Sequence, residues 1–166
     1  MRTKVEESAA RVHRLLDASG ATVATAESLT GGRLAAALTS LPGASRTYVG
    51  GVVAYATETK VDLLGVPADL VAGQGVVSAA CAEAMADGIR ERTGATYALS
   101  TTGVAGPDTQ EGRPVGTVFV GLSGPSETRS AVFTLVGGRS EVQVGACAEA
   151  LDMLVAHLRV EETGVG

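Results

Sequence analysis

The sequence predicts a three-layer α/β/α sandwich built on a mixed β-sheet. Helix-like and strand-like stretches alternate over the first hundred residues, and two strand-like runs then follow one another directly. With 166 residues, 45% of them hydrophobic, the chain suits a single domain with a full core, residues 1–166, frayed over 161–166. Aromatic residues make up 3% and Trp is absent, so that core has to be packed from Ala, Val and Leu.

Residues 4–18 have helical periodicity, with Val5, Ala9, Val12, Leu15 and Leu16 on one face and Gly20 as the stop. Residues 21–26, ATVATA, read as a short buried strand. RLAAALTSL then reads as a helix closed by Pro42 and Gly43. Residues 47–56, TYVGGVVAYA, predict a second strand. TETKVDLLG predicts a short helix ended by Gly65 and Pro67. Ser78 suits the N-cap of a helix that places Cys81, Met85 and Ile89 four apart on one face and stops at Gly94. ATYALSTTG is a third strand, running into the loop VAGPDTQEGRP. GTVFVGLSG and TRSAVFTLV, parted by Gly124 and Pro125, read as an antiparallel pair. A closing helix from Arg139 to Val160 carries Val144, Cys147, Leu151, Leu154 and Leu158 on one stripe.

Composition removes several function classes. A net charge of −5 provides no basic field for nucleic acid, and few aromatics means few base-stacking platforms. Charged residues interrupt every apolar stretch before membrane-spanning length. The first twenty residues carry acids and lack an apolar signal core, so the reading is cytoplasmic, with no nucleic-acid or membrane partner. Cys81 and Cys147 lie in Ala-rich helical patterns without ligand-spaced neighbours, as buried inert thiols do.

Chemistry is found by elimination. The two histidines, His13 and His157, lie on terminal helices among charged neighbours, which leaves a Ser-His-Asp triad and a His-based metal site without material. There is no Walker A loop and no G-x-G-x-x-G fingerprint. Lysine usage is unusual: 13 residues are Lys or Arg, yet only Lys4 and Lys60 are lysines. A desolvated lysine can lose its proton near neutral pH, whereas arginine cannot. Lys60 follows a strand and precedes apolar VDLLGV; the plain alternative is a helix-surface lysine.

Glu27-Ser28-Leu29-Thr30-Gly31-Gly32 sits between a buried strand and a helix, where a hydroxyl meets the N–H groups of a helix N-terminus. A plain N-cap is the alternative there. Ser100-Thr101-Thr102-Gly103-Val104-Ala105-Gly106-Pro107 is a second strand-to-turn junction, allowing close backbone approach to a phosphate or simply making a turn. Together these suggest a Ser–Lys arrangement, with neutral Lys60 accepting the Ser28 hydroxyl proton. Lowering a lysine from a pKa of about 10.4 to about 7.5 takes about 4 kcal/mol of differential solvation, which burial can supply.

The stretches TVATAESLTGGRLAAALTSLPGAS, GGVVAYATETKVDLLGV, STTGVAGP and RPVGTVFVGL, in this order, resemble the CinA C-terminal domain family. Its stand-alone members are the PncC-type nicotinamide-nucleotide amidases. The likeness runs from about Val23 into the last helix, with no room for the amino-terminal domain of longer members. It implies hydrolysis of the carboxamide of nicotinamide mononucleotide, a small-molecule nucleotide substrate, to nicotinic acid mononucleotide and ammonia, without metal or cofactor. It implies a homo-oligomer. Carried over residue by residue, it makes Ser28 the nucleophile and Lys60 its partner, with Ser45 and Tyr55 hydrogen bonding around the pair. Thr102 and Arg139 become substrate-positioning residues. In the same scheme Gly31 and Gly32 offer N–H groups to the oxyanion, and the Gly103-to-Gly106 turn or Arg139 holds the phosphate.

Three departures from the family pattern stand out: Gln74 where many members have His, the run Asp108-Thr109-Gln110-Glu111-Gly112 in place of a glycine pair, and Val142 or Gln143 where an arginine often stands. Two other readings remain open on sequence. One is an amidohydrolase with another small amide. The other is a catalytically silent nucleotide-binding or regulatory module of the competence or damage-inducible type.

Overall fold

The computed structural model describes residues 1–164. Strands β1 (Val23–Glu27), β2 (Tyr48–Val53), β3 (Tyr97–Gly103), β4 (Thr117–Ser123) and β5 (Thr128–Thr134) form one sheet in the order β2-β1-β3-β4-β5. β1 pairs in parallel with both β2 and β3, whereas β4 is antiparallel to β3 and to β5. The sheet is therefore mixed, as expected. The central strands β1, β3 and β4 are buried almost throughout, the edge strand β2 alternates, and the edge strand β5 is half-buried over its first four residues.

On one face lie α1 (Lys4–Ser19), α2 (Arg33–Thr39) and α6 (Arg139–Thr163), packing Val12, Leu16, Leu34, Leu38, Leu151 and Leu154 onto Val23, Leu99, Val118 and Val120. On the other lie α3 (Thr57–Leu64), α4 (Ala68–Gln74) and α5 (Ala79–Thr93). There Leu64, Cys81, Met85 and Ile89 cover Ala24, Ala26, Ala98 and Phe119. Small side chains let α5 lie close to the sheet: the Ser100 hydroxyl donates to the Ala82 carbonyl at 2.5 Å. Among the described residues, no helix is long and apolar enough to cross a membrane.

Local signals explain most boundaries. Thr3 and Glu6 form a reciprocal capping box for α1, and Gly20, in the left-handed region at φ 67°, ends it. Ser78 caps α5 by accepting from the Cys81 N–H at 3.1 Å. Four expectations are corrected. Helix α4 lies where only stops were read, because Pro67 opens it and its seven residues contain no buried side chain to reveal a period. β2 ends at Val53 rather than at residue 56: the Ala54 N–H still donates to the Glu27 carbonyl of β1, but the Ala54 and Tyr55 carbonyls turn to Lys60. Val144 is 45% exposed, and Val142 takes its place in the core. α6 continues past the expected end at Val160 to Thr163; residues 165 and 166 lie outside the described residues.

Helices α3 and α5 meet backbone to side-chain face. A Cβ added at Gly88 would overlap the Leu64 carbonyl oxygen. Gly88→Ala is expected to lower the unfolding free energy by about 2 kcal/mol, read from urea denaturation curves with an unchanged m-value.

Candidate active site

Because β1, β2 and β3 run in parallel, their carboxyl ends open on one edge, and β5 delivers α6 to the same edge. A cavity of about 420 Å³ lies there, lined by the β1–α2 turn, α3, the loop after β3 and the start of α6. Ligands bind at such edges because the helix starts and loops that contact them gather outside the strand ends.

Ser28 is the first residue beyond β1 and lines the cavity, 9% exposed. Its own N–H donates to the Thr101 carbonyl at 2.9 Å, tying the turn to β3. The preceding Glu27 is buried, and its carboxylate accepts from Thr30 Oγ1 at 2.7 Å, Leu34 N at 2.8 Å, Ala35 N at 3.0 Å and Gly32 N at 3.2 Å. Glu27 thus occupies the N-terminus of α2 as an internal anion. An unpaired carboxylate at this depth would cost several kcal/mol, and these four donors offset that. The expectation that the α2 terminus stands free for a ligand is corrected accordingly.

Gly31 and Gly32 are corrected with it. The Gly31 N–H donates to the Ser28 carbonyl at 3.0 Å, the Gly32 N–H goes to Glu27, and neither residue lines the cavity. The bond from Gly31 fixes the Ser28–Leu29 peptide, whose N–H at Leu29 has no acceptor among the described residues. Leu29 lines the cavity, and its carbonyl accepts from Gln143 Nε2 at 2.8 Å.

Lys60 is 1% exposed and is the largest fully buried side chain among the described residues. The end of β2 leaves the Ala54 and Tyr55 carbonyls free to accept from Lys60 Nζ, at 2.8 and 3.1 Å. The remaining tetrahedral position on Nζ is a proton in the ammonium and a lone pair in the amine. Burial pushes the Lys60 pKa below its ordinary 10.5, opposed by weaker interactions with Cys81, Glu111 and Glu58. Lys60 and Ser28 line the same cavity.

The rim is a polar clasp. Arg139 donates from Nη1 to the Gly106 carbonyl at 2.6 Å and from Nη2 to the Tyr55 hydroxyl at 2.9 Å. It is the backbone carbonyl of Tyr55, not its phenol, that touches Lys60. Thr102 and Gly103 also line the cavity, although the Thr102 hydroxyl already donates to the Val76 carbonyl at 2.6 Å. The Ala105 and Gly106 N–H groups have no acceptor among the described residues.

The structure therefore gathers Ser28, Lys60, Tyr55, Thr102, Gly103, Gly106 and Arg139 from the expected set. It separates Ser45, which lies exposed on a 3-10 turn (Ala44–Arg46) ahead of β2, at the opposite edge of the sheet. Three residues to which the sequence reading gave no role belong to the arrangement. Glu27 and Leu29 flank Ser28, and Gln143 is one turn from Arg139 on α6, a spacing that marks one helix face.

His13 and His157 stay out of the cavity. His13 bonds to Thr47 and to the Leu38 carbonyl, and His157 packs edge-on to Tyr97. Both cysteines are buried; desolvation pushes the Cys81 thiol up to about 11 and the Cys147 thiol up to about 12. Among the described residues, no three His, Cys, Asp or Glu side chains group as metal ligands.

Residues 5–158 match the family described as the CinA C-terminal domain. A CinA-like protein of Frankia casuarinae is 51% identical over 140 residues, 84% of this chain and 32% of that protein. One of Myxococcus xanthus is 46% identical over 156 residues, 92% of this chain and 37% of that protein. The chain thus spans about a third of the length of these curated relatives. Among solved structures, a CinA superfamily protein of Klebsiella pneumoniae superposes with a TM-score of 0.91 at 35% identity, covering 93% of this chain and 98% of that one. A competence/damage inducible protein of Agrobacterium tumefaciens gives 0.90 at 34% identity, covering 96% and 98%.

The buried lysine makes a prediction about stability. Its folded pKa lies below 10.5, so between that value and 10.5 the unfolded chain holds a proton that the folded chain has lost. Stability from this residue therefore grows as pH rises through that window. The unfolding free energy of the wild type, minus that of Lys60→Met, is expected to increase from neutral pH towards 10.5 in urea titrations. A flat difference would show an unshifted lysine.

Proposed function

The chain belongs to the CinA C-terminal domain family, and on that premise we propose that it is an amidase that hydrolyses the carboxamide of nicotinamide mononucleotide. The observation that carries the reading is Lys60: a buried amine, both of whose carbonyl partners come from one strand end, in the cavity that Ser28 lines. Burial lowers the pKa of this amine below its ordinary value and so favours it as a base, and a serine hydroxyl needs a base to become a nucleophile.

In the proposed reaction, Lys60 Nζ takes the proton of Ser28 Oγ as the oxygen bonds to the carboxamide carbon. The electron-poor pyridinium ring makes that carbon more electrophilic than an ordinary amide. The oxyanion of the tetrahedral intermediate is received by the Leu29 N–H, the donor that the turn leaves without an acceptor. As the C–N bond breaks, Lys60 returns its proton to the leaving nitrogen and ammonia departs. Water then attacks the acyl-serine, giving a proton to Lys60, and as the ester bond breaks Lys60 returns that proton to Ser28 Oγ, restoring both residues and releasing the acid.

The phosphate of the nucleotide is assigned to Arg139 and to the Ala105 and Gly106 N–H groups. Tyr55 keeps its phenolic proton for the substrate while its oxygen accepts from Arg139. Thr102 acts through the wall, holding Val76 in place. The cavity volume falls within the usual range for small-molecule sites.

Purified, EDTA-treated protein is expected to release ammonia from nicotinamide mononucleotide. Ser28→Ala and Lys60→Arg should each lower kcat by at least about a thousandfold with the fold retained by circular dichroism. Wild-type turnover by Lys60→Arg would remove Lys60 as the base. No release by folded wild type would remove this substrate in favour of another amide or a binding role.

A further inference from the structure

The loop between β3 and β4 supplies the cavity wall from Gly103 to Gln110, and it is held from its far end. Gln110 and Arg113 pair across a two-residue turn, Gln110 N to Arg113 O at 3.3 Å and Arg113 N to Gln110 O at 2.8 Å. The central residues have φ of +53° at Glu111 and +71° at Gly112, the signs of a type I′ turn. Asn and Asp are the favoured side chains at the first of these positions. Glu111 is the only described residue other than glycine with positive φ. A residue held in an unfavoured conformation invites the question of what its side chain does.

Its carboxylate reaches the opposite wall. Oε1 accepts from the Val76 N–H at 2.9 Å and Oε2 from the Val77 N–H at 3.4 Å, just ahead of the N-terminus of α5, where a negative charge is favoured. Position 75 leaves room for it: a Cβ at Gly75 would overlap Glu111 Oε2. The same segment is gripped from the other side, where the Val76 carbonyl accepts from Thr102 Oγ1. Val76 and Val77 line the cavity, so a carboxylate and a hydroxyl together set the position of this wall relative to the loop facing it.

We infer that Glu111 is a positioning residue that straps the β3–β4 loop to Val76 and Val77 and thereby shapes the cavity for its substrate. The inference rests on the amidase reading for the identity of that substrate. A residue needed only to make the turn is replaced without loss, or with gain, by Asn, which favours positive φ but is too short to reach Val76. A strap is not replaced by Asn and is largely kept by Gln, which has the same reach and an acceptor oxygen.

Two measurements on Glu111→Asn and Glu111→Gln decide this. Amide hydrogen exchange at Val76 and Val77 is expected to quicken at least about tenfold in Glu111→Asn, with the rest of the core unchanged, and to stay near wild type in Glu111→Gln. KM for nicotinamide mononucleotide is expected to rise about tenfold in Glu111→Asn with kcat within about twofold, and to recover in Glu111→Gln. Unchanged exchange in Glu111→Asn overturns the strap. Quickened exchange with unchanged KM overturns its role in shaping the site. Should wild type release no ammonia from this nucleotide, the amidase reading falls on its own account, and hydrogen exchange, which needs no substrate, still decides the strap.

Discussion

The Glu27 carboxylate lies at the end of β1, almost out of reach of water, with a hydroxyl and three backbone N–H groups around it. Those donors come from the turn and first residues of α2, so the helix can start only where the carboxylate is. Thr30, which donates to it, also bonds to Thr101 of β3. One buried charge therefore ties strand, turn, helix and neighbouring strand into a single geometry. Ser28 has little freedom within it, because its N–H and its carbonyl are both engaged. The nucleophile candidate is held by the backbone, and only its hydroxyl and the Leu29 N–H are left open to the cavity.

Lys60 is the other ionisable side chain buried beside the cavity, and the contrast explains why one suits structure and the other suits chemistry. Glu27 has four donors and is closed. Lys60 has two carbonyl acceptors and one open position, and burial favours its neutral form. Those carbonyls exist as acceptors because β2 stops at Val53. The Ala54 N–H makes the last bond to β1, at the Glu27 carbonyl, and beyond it the chain turns both carbonyls to Lys60. The end of a strand thus serves as the solvation shell of an amine.

Helix α6 completes the edge. Arg139 and Gln143, one turn apart, hold carbonyls of the two facing loops, at Gly106 and Leu29. A single rigid element thereby sets the spacing between the serine turn and the glycine-rich turn, as a site needs when sub-ångström placement governs rate. The β3–β4 loop is tied at its base to α6 and at its tip, through Glu111, to the segment preceding α5. Both helix layers of the sandwich thus take part in the cavity.

Much of this was legible in the order of residues, and for local reasons. Apolar period, glycine stops and the Ser78 cap place the long helices and the strands, because those signals act over a few residues. The scarcity of lysine pointed to Lys60, and the small-residue turns after strands pointed to Ser28 and to the Gly103–Gly106 loop. Short, shallow α4 escaped, having no buried stripe to set a period. The partners of individual atoms were not legible, since they join residues far apart in the chain. Glu27 reads as an ordinary acid until α2 folds back on it. Gly31 and Gly32 read as oxyanion donors until their N–H groups find nearer acceptors. Ser45 reads as a neighbour of Ser28 until parallel pairing of β1 and β2 puts the start of one strand and the end of the other at opposite edges. The sequence by itself determined the layers, the strand-end turns and the kinds of side chain available there. Which groups face the cavity unpaired was decided only by the tertiary structure, because hydrogen bonds go to whatever donors and acceptors packing brings within 3 Å of each other.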